Sequence, residues 1–257
     1  MNIREYYEQN ATVSIHASLV ALIPASAFMS YIVLISNHKK MILLVIPFLL
    51  YSFFCFQKYR LNQNRAKLVK LNEEEVQSEI DLLTVPQLLL TFLPAPTLRL
   101  QLFEPNGFKA GELRDVSSVW YRWFTPAFVE QWIEKRYGLY DHHDNPLAIF
   151  LLKRDRIQII TLDNQGVVIQ GKWDKNSCTF GHHRYQVKKD GIMQEFSIWA
   201  QNNKQKVGQV EVGWIPLNWG ERFVDGNTPV LKHYNLSKEE KLHIYCILIL
   251  KYAYHNH

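Results

Sequence analysis

The sequence predicts a mainly β protein, a β-barrel threaded by a hydrophobic C-terminal helix and preceded by two transmembrane α-helices and a helical stalk. Three observations predict this fold. Two long uncharged runs lie near the N-terminus, short apolar runs alternate with turn residues from Leu98 onward, and the last stretch is apolar around its whole helical circumference. With 257 residues, of which 47% are hydrophobic, the chain can fill one large core and carry appendages.

Charge and cysteine usage exclude two classes of protein. The net charge of +5 is mildly basic, but the basic residues are not gathered into one strong patch, so nucleic acid is not expected as a partner. The three cysteines, Cys55, Cys178 and Cys246, have no paired spacing. They indicate a reducing compartment rather than a secreted, disulfide-linked scaffold.

Residues 1–57 are predicted to form a transmembrane helical hairpin. From Ile15 to Asn37 the only side chain that could carry a charge near pH 7 is His16, and a second uncharged run extends from Met41 to Gln57. A helix needs about 20 apolar residues to cross a bilayer, so the first run is long enough and the second is at the short end. Pro24 and Pro47 are tolerated inside membrane helices.

The first run could instead be a cleaved signal peptide, since Ala25–Ala27 is similar to a small-residue cleavage site. However, the apolar run continues past that site, and Arg4 is the only basic residue in the polar stretch that precedes the run. A retained anchor is therefore favoured.

The charges that flank the spans predict their orientation. Lys39 and Lys40 lie between the spans, whereas five basic residues follow the second span: Lys58, Arg60, Arg65, Lys67 and Lys70. The side with more basic residues stays in the cytosol. The sequence therefore predicts a two-span protein of the cell membrane, with both termini and the C-terminal domain in the cytosol.

The same five residues form a predicted basic collar, which is the candidate lipid-binding site of this chain. Such a collar can bind anionic lipid head groups, but it can also be only the flank that fixes topology. The collar begins a predicted juxtamembrane stalk and linker, residues 58–97, which is helical over 58–85 by its apolar spacing. Pro86, Pro94 and Pro96 mark the linker into the next domain.

Residues 98–257 are predicted to form the barrel. Strands are indicated at 98–102, 108–113, 147–152, 157–162, 167–173, 185–187, 192–199 and 206–214, with hairpin signals between several of them. The segment 206–214 is the last clear strand. Residues 118–140 break the pattern, because their aromatic side chains fit one face of a helix that starts near Pro126.

The terminal stretch, residues 237–254, is predicted to be the core helix of the barrel. Ser237 and Glu240 have the spacing of a capping box. Beyond Lys241 the helix is apolar on nearly every side, so it should be surrounded by protein. Closing the strands around it removes the exposed sheet edges.

These strand–turn–strand units, such as Gln158–Ile169 and Tyr185–Ile192, and the terminal helix together resemble the tubby C-terminal fold, shared with LURP-one-like and scramblase-like proteins. The resemblance covers about residues 98–254. It implies a module that binds phosphoinositides or other lipids rather than an enzyme. No residue cluster matches a head-group site of that family.

No catalytic set, metal site or cofactor is predicted. The pairs His142–His143 and His182–His183 lack the spacing of metal ligands and are interpreted as surface or turn residues, and His255 and His257 as a frayed terminus. Most of the tryptophans are interpreted as core. The 120–133 cluster, which lies beside Arg122, Lys135 and Arg136, could alternatively rest on the membrane.

The leading hypothesis is a membrane-anchored, non-enzymatic protein whose barrel binds lipid head groups or a protein partner. One alternative is a lipid-handling enzyme or a scramblase-type transporter. The other is a structural accessory subunit of a membrane complex.

Overall fold

The computed structural model describes residues 1–34, 39–71, 81–95, 97–117, 134–162, 166–174, 176–190, 195–202, 204–213 and 215–255. The chain divides into two compact units, Met1–Lys70 and Leu71–His257. The first unit is helical, and the second is a closed β-barrel with a helix in its interior.

The first unit contains α1 (Ile3–Leu34), a 3-10 helix (Lys39–Leu44) and α2 (Ile46–Leu68). Two helical stretches, Ile3–Leu34 and Ile42–Leu68, are long and apolar enough to cross a membrane by length and composition. The prediction of two candidate spans is confirmed. Both helices also extend beyond the uncharged runs, because α1 includes the polar residues before Ile15 and α2 continues past Gln57.

Two serines connect α1 to α2 near the middle of the hairpin. The hydroxyl oxygens of Ser18 and Ser52 are 2.9 Å apart, and each lies 3.0 Å from the other residue's carbonyl oxygen. Both serines are buried between the helices. Farther toward the 3-10 helix, the rings of Phe28 and Phe48 stack with 5.8 Å between their centres. These contacts fix α1 and α2 as antiparallel neighbours.

The described part of the second unit contains twelve antiparallel strands. They are β1 (Gln87–Phe92), β2 (Arg99–Phe103), β3 (Lys109–Asp115), β4 (Lys135–Asp141), β5 (Pro146–Lys153), β6 (Arg156–Thr161), β7 (Val168–Asp174), β8 (Ser177–Phe180), β9 (His183–Asp190), β10 (Glu195–Ala200), β11 (Gln205–Glu211) and β12 (Val230–His233). Each strand pairs with its sequence neighbours, and β1 pairs with β12 to close the barrel. The predicted mainly β barrel is confirmed.

The terminal helix α3 (Lys238–His255) runs through the barrel from end to end. Nine consecutive residues, 242–250, are at most 4% exposed, and nine residues cover two and a half helical turns. Near its start, the His243 ring lies 4.5 Å from the ring of Phe180 on β8. Near its end, the Tyr252 ring lies 4.9 Å from that of Phe92 on β1. The predicted threading of the barrel by a hydrophobic helix is confirmed.

The helix begins with the predicted capping box. The backbone N–H of Glu240 donates to the hydroxyl of Ser237 at 3.2 Å, and the backbone N–H of Ser237 donates to the Glu240 carboxylate at 2.9 Å. These two bonds satisfy N–H groups that would otherwise lack partners at the first turn.

The barrel starts earlier along the chain than the sequence predicted. The expected start at Leu98 is wrong, because β1 at Gln87–Phe92 pairs with both β2 and β12. Leu82 and Val85 also lie in the barrel core. Much of the predicted stalk and linker is thus part of the barrel unit.

The stalk and the region 118–140 need two further corrections. The predicted helix over 58–85 ends at Leu68, Val69 is extended, and residues 81–84 form turns, while residues 72–80 lie outside the described part of the chain. Residues 135–141 form β4, a strand that the sequence did not indicate, and the predicted helix near Pro126 falls on residues that are not described. The segment 206–214 was predicted as the last clear strand, and the structure adds β12 after it.

Candidate functional site

The basic collar lies on the last three turns of α2 and just beyond them. Lys58, Arg60, Lys67 and Lys70 are exposed. Arg65 is half-buried, and its guanidinium carbon lies 5.9 Å from the centre of the Tyr7 ring on α1. The structure therefore presents four of the five predicted residues to solvent, while the fifth contacts the neighbouring helix through a cation–π interaction.

A second candidate site lies at the proximal mouth, which we define as the end of the barrel where α3 begins. The turns β4–β5, β6–β7 and β8–β9 and the segment 81–86 surround this mouth. A cavity of about 650 Å³ opens there. Its lining consists of Asp81, Leu82, Leu83, Asp141, His142, Pro146, Leu147, Thr161, Leu162, Val167, Ile169, Lys238, Glu239 and Leu242.

The cavity has an apolar wall and a charged rim. Leu162 and Val167 on the wall are 44% and 43% exposed, a large fraction for apolar side chains. On the rim, Lys238 forms an ion pair with Asp81 at 2.6 Å. A cavity with apolar walls and a few polar groups is the usual form of a small-molecule or peptide site.

Contacts from the segment 81–86 hold it against the start of α3. The Lys241 ammonium donates to the carbonyl of Val85 at 3.3 Å, and the backbone N–H of His233 donates to the carbonyl of Pro86 at 2.8 Å. Burial acts to raise the pKa of Asp81, but the Lys238 ion pair and a backbone hydrogen bond from Leu83 outweigh it, so the pKa is lowered. The rim of the cavity is therefore a fixed part of the barrel.

A buried aromatic and histidine cluster lies on the β8–β9 side of the proximal mouth. His243 of α3 is fully buried and shares a 3.1 Å hydrogen bond, through Nδ1, with the hydroxyl of Tyr185. His183 lies above it, 3.8 Å from Glu240. Burial, with a smaller effect of His183, lowers the pKa of His243 to about 4. His243 is therefore neutral near pH 7 and acts as a core residue.

His233 on β12 is the second buried histidine of the barrel. Its ring lies 5.7 Å from that of Tyr245 on α3, and neither ring nitrogen has a hydrogen-bond partner among the described residues. Burial, reinforced by the charge of Lys241, lowers the pKa of His233 to about 3. Its imidazole is thus kept neutral in a largely apolar setting.

The wall of the barrel also holds a buried carboxylate, Glu112 on β3. Arg99 and Lys109 donate to it at 2.7 and 2.6 Å. Burial acts to raise the pKa of Glu112, but these two hydrogen bonds outweigh it and lower the pKa. The carboxylate therefore stays charged and paired, which is a structural role rather than that of an acid or base.

The two histidine pairs do not come together. His143, His182 and His183 are exposed, as predicted, whereas His142 is half-buried in the wall of the cavity. Among the described residues, no group of three or more His, Cys, Asp or Glu side chains could hold a metal ion. His257 and the 120–133 aromatic cluster lie outside the described residues.

The sequence reasoning missed the cavity at the proximal mouth. The residues that line it come from six separate stretches of the chain. The apolar residues among them have the spacing of ordinary strand residues, so this spacing does not mark them as a site. The one local signal is the pair Leu162 and Val167, which flank a polar turn although a turn is normally polar at both ends.

Comparison with known proteins adds no assignment. No protein-family model matches the chain, and no curated protein or solved structure matches it either. Function is therefore inferred from the residues and the geometry described above.

Proposed function

We propose that this protein is a membrane-anchored, non-enzymatic binding protein. In this proposal α1 and α2 span the cell membrane with both termini in the cytosol, the basic collar contacts anionic lipid head groups, and the barrel binds a lipid or a protein partner. The observation that carries it is the continuity of α2, which passes from an uncharged apolar stretch into a stretch with exposed cations.

The collar residues are well distributed for contact with a lipid surface. At 100° per residue, Lys58 and Lys67 lie on opposite sides of α2, and Arg60 lies on the same side as Lys67. Head groups can therefore reach a cation from either side of the helix. Each basic residue near an anionic surface contributes about 1 kcal/mol of attraction, which salt weakens.

We further propose that the barrel belongs to the tubby-like fold class. A closed antiparallel barrel with a hydrophobic helix along its axis supports this proposal, as does its position after two apolar helices. Because α3 fills the interior, a ligand must bind at a mouth or on the outer wall. The same packing argues against a lipid path through the barrel, and so against the transporter alternative.

The cavity at the proximal mouth favours a binding role for the barrel. Its apolar wall, with Leu162 and Val167 exposed, can take an acyl chain or an apolar peptide side chain, while Lys238 and Glu239 at the rim can bind polar groups. A partner bound there fits the accessory-subunit alternative equally well.

The collar is tested with the full-length protein in a neutral detergent, using native mass spectrometry to count bound phosphatidylglycerol. Replacing Lys58, Arg60 and Lys67 by Gln should reduce the mean number of bound lipids several-fold and remove its dependence on salt. The matched control replaces the exposed barrel residues Lys153, Lys172 and Lys204 by Gln, which makes the same change in net charge. Equal loss in both variants would contradict a role for the collar.

The topology is tested separately with reporter fusions in cells. Fusions at residue 2 and at residue 257 should both report the cytosol. An external signal from the C-terminal fusion would overturn the proposed orientation.

A further inference from the structure

A polar groove lies between α1 and α2 at the end of the hairpin where the collar lies. The Arg4 guanidinium donates to the carbonyl of Val69 at 2.9 Å, which joins the start of α1 to the end of α2. Beside this contact is a cavity of about 590 Å³. Ala11 and Ala66 are buried in its floor, and their small side chains leave the space between the helices open.

The polar side chains of the groove follow a definite order along the helices. Arg4 and Lys67 lie at the outer end. Glu8 is one turn nearer the apolar part of α1, about 6 Å along the axis. Thr12 and Tyr59 are about 12 Å from the outer end and adjoin the uncharged runs. From the apolar side outward, the groove thus offers hydroxyl groups, then the Glu8 carboxylate and the Gln63 amide, then two cations.

We propose that this groove binds the head group of a phospholipid that carries both an ammonium and a carboxylate beyond its phosphate, as the serine head group does. The phosphate accepts from the Tyr59 hydroxyl, the ammonium pairs with Glu8, and the carboxylate pairs with Arg4 and Lys67. The Thr12 hydroxyl lines the phosphate end of the groove but donates to the carbonyl of Glu8 at 3.0 Å. The head-group layer is about 5–8 Å thick, so a groove about 12 Å long covers it.

The fixed position of Arg4 supports this assignment. Its contact with Val69 uses one of five N–H donors, and the remaining donors keep the planar arrangement that binds a carboxylate through two hydrogen bonds. Glu8 supplies the selectivity. A collar of cations attracts any anionic lipid, whereas a carboxylate repels the phosphate and favours only a head group with an ammonium at that level.

The inference rests on the proposed membrane anchoring and lipid contact of the collar, and one experiment separates the groove from the collar. The full-length protein in neutral detergent is offered equal amounts of phosphatidylserine and phosphatidylglycerol with identical acyl chains, and native mass spectrometry counts each. We expect about a tenfold preference for phosphatidylserine, the effect of one charge-assisted hydrogen bond. The Glu8→Gln variant should lose the preference and still bind lipid. Glu5→Gln, which lies outside the groove, should retain it.

The other outcomes are equally decisive. Equal binding of the two lipids by the native protein would overturn the groove and leave the collar in place. No preference for either lipid over phosphatidylcholine would overturn the collar as well. If phosphatidylethanolamine bound as strongly as phosphatidylserine, Arg4 and Lys67 would not be recognising the carboxylate of the head group. If free phosphoserine bound as tightly as the lipid, the site would be one for a soluble ligand.

Discussion

The chain uses apolar helices in two opposite ways. In α3 the fully buried residues follow one another around the whole circumference, so β-strands enclose the helix. In α1 and α2 only 17% of each apolar window is buried, and large side chains such as Leu19, Val20 and Leu50 are more than half exposed. Composition alone does not separate these cases; what separates them is whether the protein itself supplies the apolar surroundings.

The largest expected effect concerns the interior of α3. Leu248 is fully buried, so Leu248→Ala should cost about 2–5 kcal/mol through lost transfer free energy and an unfilled cavity. The measurement is thermal unfolding followed by tryptophan fluorescence, because all seven tryptophans lie in the barrel unit.

The matched control for this prediction is Leu217→Ala, at a position that is 97% exposed. It should leave the melting temperature within about 1 °C, because surface changes of this kind alter stability little. If Leu248→Ala behaved like Leu217→Ala, α3 would have a solvent face and the contrast with α1 and α2 would fail.

The next largest expected effect is the pH dependence of stability caused by His243, the neutral histidine in α3. Burial, with a smaller effect of His183, keeps the pKa of His243 near 4, below the ordinary value of 6.5. Between pH 6.5 and pH 4 the unfolded chain therefore binds a proton that the folded chain does not. The stability that His243 contributes is fully present above pH 6.5 and falls by about 1.4 kcal/mol per pH unit as the pH is lowered through this window.

The variant that tests this is His243→Asn, which retains a polar atom near Tyr185. Urea unfolding across the same pH window should show a slope smaller by about 1.4 kcal/mol per pH unit than that of the native chain. An unchanged slope would show that His243 is not the group responsible.

A smaller effect is expected at the start of α3. Ser237→Ala removes the hydroxyl that accepts from the Glu240 N–H and should cost about 1 kcal/mol. Ser237→Asn should recover most of this loss, since asparagine also caps helices, and chemical unfolding at pH 7 measures both. No difference between the two variants would mean that the capping box does not stabilise the enclosed helix.

The smallest effect is expected in the hairpin. Ser18→Ala removes a buried contact with Ser52, but in the proposed membrane setting a hydrogen bond between helices contributes only about 0.6 kcal/mol on average. Titration from mild detergent into SDS, with a dye pair at positions 2 and 70, measures helix separation. Ser26→Ala is the control, because that hydroxyl is bonded within α1 itself. If Ser18→Ala lowered the free energy of helix separation by more than about 2 kcal/mol, packing between α1 and α2 would be as important for their stability as enclosure by the barrel is for α3.

The sequence predicted strands that alternate or that form a longer apolar run between turn residues. In β6 apolar and polar residues alternate from Arg156 to Ile159, and in β5 six apolar residues, Leu147–Leu152, follow one another between two turns. In β1, Leu88, Leu89 and Leu90 are all buried, which removes the alternation. The short strands β8 and β12 have four residues each, too few to establish a period.

The candidate sites also differ in how far the sequence could predict them. The collar is a local feature of one helix, so its five residues could be named from the sequence. The cavity at the proximal mouth and the groove between α1 and α2 each need side chains from distant segments to meet. Tyr59 and Glu8, for example, have no sequence relation that would join them. Only the antiparallel pairing of the helices brings them to one groove.

The closure of the barrel by β1 and β12 has a consequence for biosynthesis. These two strands are far apart in sequence, and the helix that fills the interior follows the second of them. While the ribosome makes the strands, their inward-facing leucines and valines have no core to pack against. The nascent barrel must therefore stay open, with unpaired strand edges and exposed apolar side chains, until α3 has emerged from the exit tunnel. We expect holdase chaperones to bind this domain during translation, and ribosomes that stall before residue 238 to release an insoluble product.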